Sequence, residues 1–385
     1  MTLHSTSYSA ASEDYSATLE QVCTGTVAPE ALAVDDEAVF PERSIQALGA
    51  AGLMGAVSAP EIGGLGLGFR GAAKIVGRLA QECGSTAMVV CMHYCGTAVI
   101  EAYGPKDVRR AAAKGTHLST LAFSEAGSRS HFWAPIGTAS RGGDREVVLN
   151  ARKSWITSAS KATAYVWSSR PLQPDAGVST LWLVPANARG LRVQAPFDGL
   201  GLRGNDSSPV TADSVRVPDS TMLGGDGKGF DIMMGTVLPL FNVLNAACSV
   251  GLMEAAVQRT ALHASSTRHA HLDSTLADLP TIRNYIARMR VKTDMARTLL
   301  EDTISALESG RSDATLRVLS CKAAAGEASI DVVETAMRVC GGAAFRRDLA
   351  VERNFRDAHA AGVMGPTTDV LYDFIGKAVC GMKLF

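Results

Sequence analysis

Hydrophobic spacing divides the chain into three regions with different predicted secondary structure. From residue 16 to about 118, apolar residues recur at every third or fourth position, as in "FPERSIQALGAAGLMGAV", which predicts amphipathic helices. From 119 to 228, short runs rich in Val, Thr, Trp and Tyr stand between Gly, Pro, Asp and Asn clusters, which predicts about six to eight antiparallel strands. From 229 to 385 the helical spacing returns in long runs that are typical of a helix bundle. We expect residues 1–15, which are polar, to be flexible.

Composition favours a large folded core and argues against highly charged partners. Of the 385 residues, 46% are hydrophobic and 19% are charged, and the net charge is −1 without a long basic run. We therefore expect neither nucleic acid nor a membrane surface as the main partner. The N-terminus lacks the basic and apolar segments of a signal peptide, and no apolar run reaches the roughly 18 residues of a membrane span. These features predict a cytoplasmic protein.

The eight cysteines are scattered, and none forms a CxxC pair. Their spacing argues against structural zinc, and we expect no metal site. Buried free thiols in a reducing compartment are the simpler interpretation.

Four segments carry more specific patterns. They are "LAFSEAGSRS" (121–130), "VLNARKSWITS" (148–158), "LGLRGNDSSPVTADSVRVP" (200–218) and "RVCGGAAFRRDLAVERNFRDA" (338–358). In this order they resemble the T-E-P-x-x-G-S, N-G-x-K-x-W-I-T, G-x-R-G-S-x-T and G-G-x-G…E-R-x-x-R-D-A motifs of the acyl-CoA dehydrogenase family of flavoproteins. The resemblance extends from about Phe40 to Lys377. It implies an α+β fold with an N-terminal helical domain (16–118), a middle antiparallel β-barrel or sandwich (119–228) and a C-terminal four-helix bundle (229–385).

The resemblance also implies FAD as the cofactor. Trp155 would lie against the flavin ring and Thr157 would contact its reactive edge, whereas Trp155 taken alone reads as core of the β domain. Gly341 and Gly342, which permit close approach of a backbone, would serve with Arg338 the flavin of a neighbouring subunit. This implies a homo-oligomer, either a dimer or a tetramer. The other residues assigned to FAD are Phe123, Ser124, Arg129, Ser130, Arg268, Thr367 and Asp369.

The family's catalytic carboxylate is missing from both of its usual places. In the family, a glutamate in an E-G-T motif removes the α-proton of an acyl thioester while the flavin takes hydride from the β-carbon. Here Gly365 stands at that glutamate's position. Some members carry the base on the first long C-terminal helix, where this chain has Phe241 and Asn242.

Other groups are candidates for the site. The N–H of Gly365 can still polarise a thioester carbonyl. Asp369 is the nearest carboxylate in sequence, and it is either a replacement base or a residue that favours the start of the last helix. We expect His93, Tyr94, Phe241 and Asn242 to contact the substrate. Arg129 and His131 are further polar residues expected near the pocket.

Three functions remain open from the sequence. The first is FAD-dependent α,β-dehydrogenation of an acyl thioester of coenzyme A or an acyl carrier protein, with an electron-transferring flavoprotein as acceptor. The second is redox-neutral elimination of a β-substituent, as in the family's desulfinases, or oxygen use, as in its monooxygenase relatives. The third is an inactive scaffold subunit, which the retained flavin motifs argue against.

Overall fold

The computed structural model describes residues 11–128, 131–271 and 273–384. The first part of the chain is helical, and it begins with a helix at Ala11, within the segment that the sequence predicts to be flexible. Residues 1–10 of that segment lie outside the described part of the chain. The helices here are α1 (Ala11–Val22), α2 (Ala28–Asp36), α3 (Glu42–Ala50), α4 (Gly68–Glu82), α5 (Gly84–Tyr103) and α6 (Lys106–Ala113).

The middle part forms two four-stranded sheets. Their orders are β1-β4-β5-β8 and β2-β3-β7-β6. Among the described strands of these sheets, every pair is antiparallel except β1 with β4, which is parallel, so the prediction of an antiparallel domain is wrong at that pair. The strands are β1 (Ser119–Ala122), β2 (Thr138–Gly143), β3 (Glu146–Ile156), β4 (Ala164–Ser169), β5 (Thr180–Pro185), β6 (Leu191–Val193), β7 (Ser208–Pro218) and β8 (Met222–Leu223).

The last part returns to helices. A short β9–β10 ribbon, Arg268–His269 with Ser274–Thr275, interrupts it after the first long helix. Helices α8, α9 and α10 pack together, and α13 packs on α10. The helices are α7 (Gly229–Ile232), α8 (Leu238–Ser266), α9 (Pro280–Ser309), α10 (Ala314–Cys340), α11 (Val351–Ala358), α12 (Ala360–Val363) and α13 (Thr368–Val379).

Two hydrophobic cores hold these parts together. One joins the N-terminal and C-terminal helices and includes one face of the β1 sheet, and the other lies between the two sheets. Helix α8 is central to the first core, because it packs against α4, α5, α9, α10 and α11.

Within the described residues, one helical stretch, Gly229–Ser266, is long enough to cross a membrane and contains an 18-residue window that is apolar enough to do so, with a mean hydropathy of 1.6. The prediction that no apolar run reaches spanning length is wrong by this measure. Its most apolar window is 83% buried inside the protein, and a helix surrounded by other helices is apolar on every side.

The "ERNFRDA" motif joins the three parts. On α11, Arg356 binds the carboxylate of Asp35 in α2 through two hydrogen bonds of 2.9 and 2.5 Å. The neighbouring Asp357 accepts a 2.6 Å hydrogen bond from the backbone N–H of Leu202, in the middle part. Bidentate arginine–carboxylate pairs fix geometry as well as charge. The motif therefore acts as a structural junction that sets how the helices and the β sheets meet.

Candidate active site

A cavity of about 900 Å³ lies where the middle sheets meet the helices. Its wall includes α5, the ends of β1 and β3, the loop from 197 to 207, the start of α8 and the segment 360–370. A volume of this size is in the range of ligand and cofactor sites. The cavity brings together eight sequence-predicted residues: Phe123, Ser124, His131, Trp155, Thr157, Phe241, Thr367 and Asp369, with Gly365 beside them.

Trp155 presents a large aromatic face to this cavity. Its side chain is 61% exposed and stacks on Phe197, with ring centroids 4.0 Å apart and planes 25° apart. Trp155 has φ +59°, and the pairing of β3 with β7 shifts register between Lys153 and Ile156. The alternating side-chain pattern of a strand is thereby broken, and the indole turns away from the sheet core. The interpretation of Trp155 as core of the β domain is therefore wrong.

Left-handed backbone recurs around this wall. Leu202 lines the cavity with φ +52°, and Asp206, between the lining residues Asn205 and Ser207, has φ +54°. Such conformations cost about 1 kcal/mol or more for residues other than glycine, and they concentrate at functional sites. Local sequence gave no signal for these positions, since neither residue is glycine.

Glu125 lines the cavity but is already paired. Its carboxylate accepts a 2.6 Å hydrogen bond from the Lys153 ammonium and further bonds from the N–H groups of Ile136 and Gly137. Lys153 also donates to Ser168, and both charged side chains are almost fully buried. Burial lowers the pKa of Lys153 to about 8, although Glu125 opposes the shift. The pair fixes the turn after β1, and Glu125 is not a free base.

A second buried lysine holds the opposite wall, and sequence reasoning missed it. Lys322 on α10 is 1% exposed and donates to the carbonyl oxygens of Ala361 (3.0 Å), Met364 (3.0 Å) and Pro366 (2.8 Å). These carbonyls belong to α12 and to the Gly365 loop, which we define as residues 364–367. Burial lowers the pKa of Lys322 to about 7. The available signal was its place on the apolar face of α10, four residues after Val318 and three before Ala325.

Asp369 is the remaining carboxylate on the cavity wall. It stands in the first turn of α13 and is exposed, and no described residue forms a salt bridge with it. An acid in a first helical turn also stabilises the helix, so both interpretations of Asp369 are compatible with its position. His131 lies on the same wall and contacts Trp133 edge to face, with centroids 5.1 Å apart.

Three residues predicted to contact the substrate lie away from the cavity. His93 is fully buried; its Nδ1 accepts from the N–H of Ser119, which leaves Nε2–H to donate to the carbonyl of Met54. Tyr94 is buried too, and its hydroxyl donates to the carbonyl of Leu53 at 2.6 Å. These two predictions are corrected, because both side chains are structural groups of the helical core.

Asn242 is the third of these residues. Its amide donates to the carbonyl of Val318 on α10, whereas the neighbouring Phe241 does line the cavity. The two neighbouring side chains thus lie on different faces of α8, and of the two only Phe241 lines the cavity as predicted.

Arg268, predicted to bind FAD, lies outside this cavity, as do Arg338, Gly341 and Gly342, which are predicted to serve a neighbouring subunit's flavin. Arg268 is exposed and pairs with Asp273, and Arg338 lies over the Tyr285 ring at 5.7 Å. Gly341 has φ +56°, which favours glycine, and a Cβ on Gly342 would meet nothing within 4 Å. The role of Arg338, Gly341 and Gly342 toward a second subunit stays a prediction, and so does the role of Arg268 at the cofactor. Arg129 and Ser130, also predicted at the cofactor, lie outside the described residues.

The donor set of the cavity fits a flavin nucleotide. The aromatic rings of Trp155, Phe123 and Phe197 offer flat apolar surface for a tricyclic ring. The hydroxyl-bearing residues Ser124, Thr157, Ser207 and Thr367 also line it, and Arg203 adds a cation. Among the described residues, no group of three or more His, Cys, Asp or Glu side chains is placed to hold a metal ion. All eight cysteines are free and seven are buried, with Cys380 the exposed exception.

Comparisons with known proteins agree with this geometry. The N-terminal, middle and C-terminal domains of acyl-CoA dehydrogenases match residues 9–115, 120–215 and 227–380. The human mitochondrial short-chain specific acyl-CoA dehydrogenase is 29% identical over 352 residues, which are 89% of this chain and 83% of that protein.

Two solved structures show the same fold. Butyryl-CoA dehydrogenase from Megasphaera elsdenii superposes with a TM-score of 0.90 at 21% identity, over 98% of this chain and all of that one. A prolyl acyl carrier protein oxidase superposes with a TM-score of 0.87 at 18% identity, over 97% of this chain and all of that one. The predicted three-part fold is thereby confirmed, while the limits of its domains stay predictions. The chain belongs to the acyl-CoA dehydrogenase family, the FAD-dependent oxidoreductases that act on the CH–CH group of acyl-CoA.

Proposed function

We propose that this protein catalyses α,β-dehydrogenation of an acyl thioester, with Asp369 replacing the glutamate that Gly365 displaces. The observation that carries the proposal is the state of the two carboxylates on the described cavity wall. Glu125 is committed to Lys153, and Asp369 has no ion-pair partner among the described residues. A general base must reach the proton it removes, and Asp369 is the carboxylate that is free to do so.

The Gly365 loop supports recognition of the thioester. The N–H of Gly365 donates to no acceptor among the described residues, and Gly365 lines the cavity. A backbone N–H held toward a reacting carbonyl stabilises the negative charge that develops on its oxygen. Around it, Met88, Met92 and Phe241 supply apolar surface for an acyl chain.

The chain's own residues would then divide the work. Trp155 and Phe123 hold the flat ring of the cofactor, Thr157 meets its polar edge, and the apolar wall excludes water from the acyl group. Asp369 accepts the α-proton, while Gly365 orients the carbonyl. Bound FAD supplies the two-electron acceptor for the hydride.

Partners follow from the same proposal. The relatives named above support coenzyme A as the thioester carrier, and the acyl carrier protein oxidase makes a carrier protein the alternative. An electron-transferring flavoprotein would reoxidise the cofactor. The exposed Phe345 beside Gly341 and Gly342 supports contact with a second copy of this chain, consistent with a dimer or tetramer.

The decisive experiment is an anaerobic titration of the flavin-loaded protein with acyl-coenzyme A thioesters, including β-substituted ones. Flavin absorbance and product mass are recorded together. Dehydrogenation predicts bleaching of the oxidised band and a product two hydrogens lighter. Product formed while the flavin stays oxidised would instead establish elimination, with the space at Gly365 holding the leaving group.

Asp369→Asn tests the proposed base. We expect the bleaching rate to fall by about 10²-fold or more, since general base catalysis contributes about that much. Asp373→Asn is the matched control, because Asp373 lies on the same helix, pairs with Lys377 and is absent from the cavity wall. Equal rates in the two variants would remove Asp369 from the mechanism.

A further inference from the structure

Lys322 is unusual because its ammonium is buried and no carboxylate of the described residues pairs with it. No described carboxylate forms a salt bridge with it, and its ammonium instead meets three backbone carbonyls at 2.8–3.0 Å. An ammonium has three N–H donors, so the three acceptors satisfy it completely. Burying such a group costs free energy that an apolar side chain would avoid, and perturbed buried lysines are enriched at functional sites.

The three carbonyls share one feature: all of them belong to the segment that carries Gly365. Those of Met364 and Pro366 flank Gly365 directly, and that of Ala361 lies on α12 just before the loop. One side chain therefore ties carbonyl groups of the residues on both sides of Gly365 to helix α10.

Helix α8 supports the same loop from another direction. The buried amide of Asn245 points to the Met364 sulfur at 3.5 Å. The Phe241 ring, which lines the cavity, has its centroid 5.9 Å from Lys322 Nζ. Lys322 itself is not part of the cavity wall, so it reaches the site only through these neighbours.

We propose that Lys322 is a positioning residue that fixes the Gly365 loop and so aims the Gly365 N–H into the cavity. In this family member the loop carries no catalytic glutamate, and the position of its backbone is what it offers to a substrate. The consequence for catalysis rests on the proposed function, whereas the consequence for loop order does not.

The test is hydrogen–deuterium exchange of the flavin-loaded protein, followed in peptides that cover residues 360–367. In Lys322→Met the three carbonyls lose their donor, and we expect exchange of this segment to quicken about tenfold, which corresponds to the loss of one net hydrogen bond. Peptides from β3 and β7 are expected to keep their wild-type rates. Lys322→Gln retains two N–H donors, so its exchange rate at residues 360–367 is expected to lie between those of wild type and Lys322→Met. It replaces Lys322→Met in the experiment if that variant does not fold.

Cys321→Ala is the matched control. Cys321 is buried next to Lys322 on α10, so its truncation disturbs packing but leaves the ammonium in place. A purely structural role for Lys322 predicts that all three variants raise exchange throughout the C-terminal helices alike. That result, or unchanged exchange at 360–367 in Lys322→Gln, would overturn the proposal.

Kinetics give a second readout. Displacement of the Gly365 N–H is expected to reduce stabilisation of the transition state more than it reduces substrate binding. Lys322→Gln is therefore expected to lower kcat by about tenfold with little change in KM. A rise in KM with kcat unchanged would contradict positioning of the N–H. If the wild type oxidises no thioester, the proposed function fails, and the exchange result still decides the role of Lys322.

Discussion

Two buried lysines hold opposite walls of the cavity, and they are held in different ways. Lys153, beneath the β wall, is paired with the Glu125 carboxylate at 2.6 Å, whereas Lys322, behind the helical wall, meets three carbonyl dipoles and no carboxylate among the described residues. Burial lowers the pKa of both, to about 8 for Lys153 and about 7 for Lys322. Each wall therefore rests on a lysine whose protonation changes at neutral to mildly alkaline pH, and the lysine that meets no carboxylate among the described residues has the lower pKa.

Breaking the ion pair is expected to have the largest effect. Lys153→Met leaves the buried Glu125 without its counter-charge, and removal of one partner of a buried pair costs about 3–5 kcal/mol of unfolding free energy. Denaturant unfolding of the two proteins measures the difference. Lys161→Met is the control, since Lys161 forms an exposed pair with Glu42. A Lys153→Met loss as small as that of the control would show that Glu125 is satisfied by its N–H donors alone.

A pH series is expected to separate the two walls further. The pKa of Lys322 is about 7 in the folded protein against an ordinary value of 10.5, so the unfolded chain binds more protons between these values and stability rises with pH there. The titratable groups that act on Lys322 are the thiols of Cys321 and Cys91. Burial raises the pKa of Cys321. The pKa of Cys91 is raised by a hydrogen bond with Cys95 and, next in size, by burial.

Between pH 7 and 9, wild type should gain about 2 kcal/mol relative to Lys322→Met, since one pKa unit corresponds to about 1.4 kcal/mol. The measurement is denaturant unfolding of both proteins at several pH values. A difference that does not change with pH would mean that Lys322 stays charged across this range.

The smallest global effect is expected from Lys322→Met at pH 7. The substitution removes an unpaired buried charge, which stabilises the folded protein. It also leaves three carbonyl oxygens without their donor, which destabilises it. We expect a net loss of about 1–2 kcal/mol, well below that of Lys153→Met. Thermal or denaturant unfolding at pH 7 ranks the two variants, and a reversed order would remove the distinction between the walls.

The sequence predicted the parts of the molecule that local patterns encode. Helical spacing and strand runs gave the three-part order, and the "SWIT" motif placed Trp155 and Thr157 on the cavity wall. Apolar periodicity could not tell which face of α5 meets the substrate, because nearly every position of that helix is buried. His93 and Tyr94 were misplaced for this reason.

The two lysines were missed for another reason. Glu125 and Lys153 are 28 residues apart and meet only through the pairing of folded strands. Lys322 and Pro366 are 44 residues apart, and their contact depends on α12 packing against α10. Contacts between residues so far apart in the sequence leave no local pattern. The one local sign for Lys322 is a charged residue on an otherwise apolar helix face.

The exposed indole of Trp155 makes it a built-in optical probe. Of the four tryptophans, Trp133, Trp167 and Trp182 are at most 9% exposed, whereas Trp155 is 61% exposed on the cavity wall. Its fluorescence should therefore lie to the red of the other three and respond to soluble quenchers that do not reach them. A molecule that stacks on that wall will shield Trp155 from a soluble quencher and leave the accessibility of the other three unchanged, so occupancy of the site can be followed without any label.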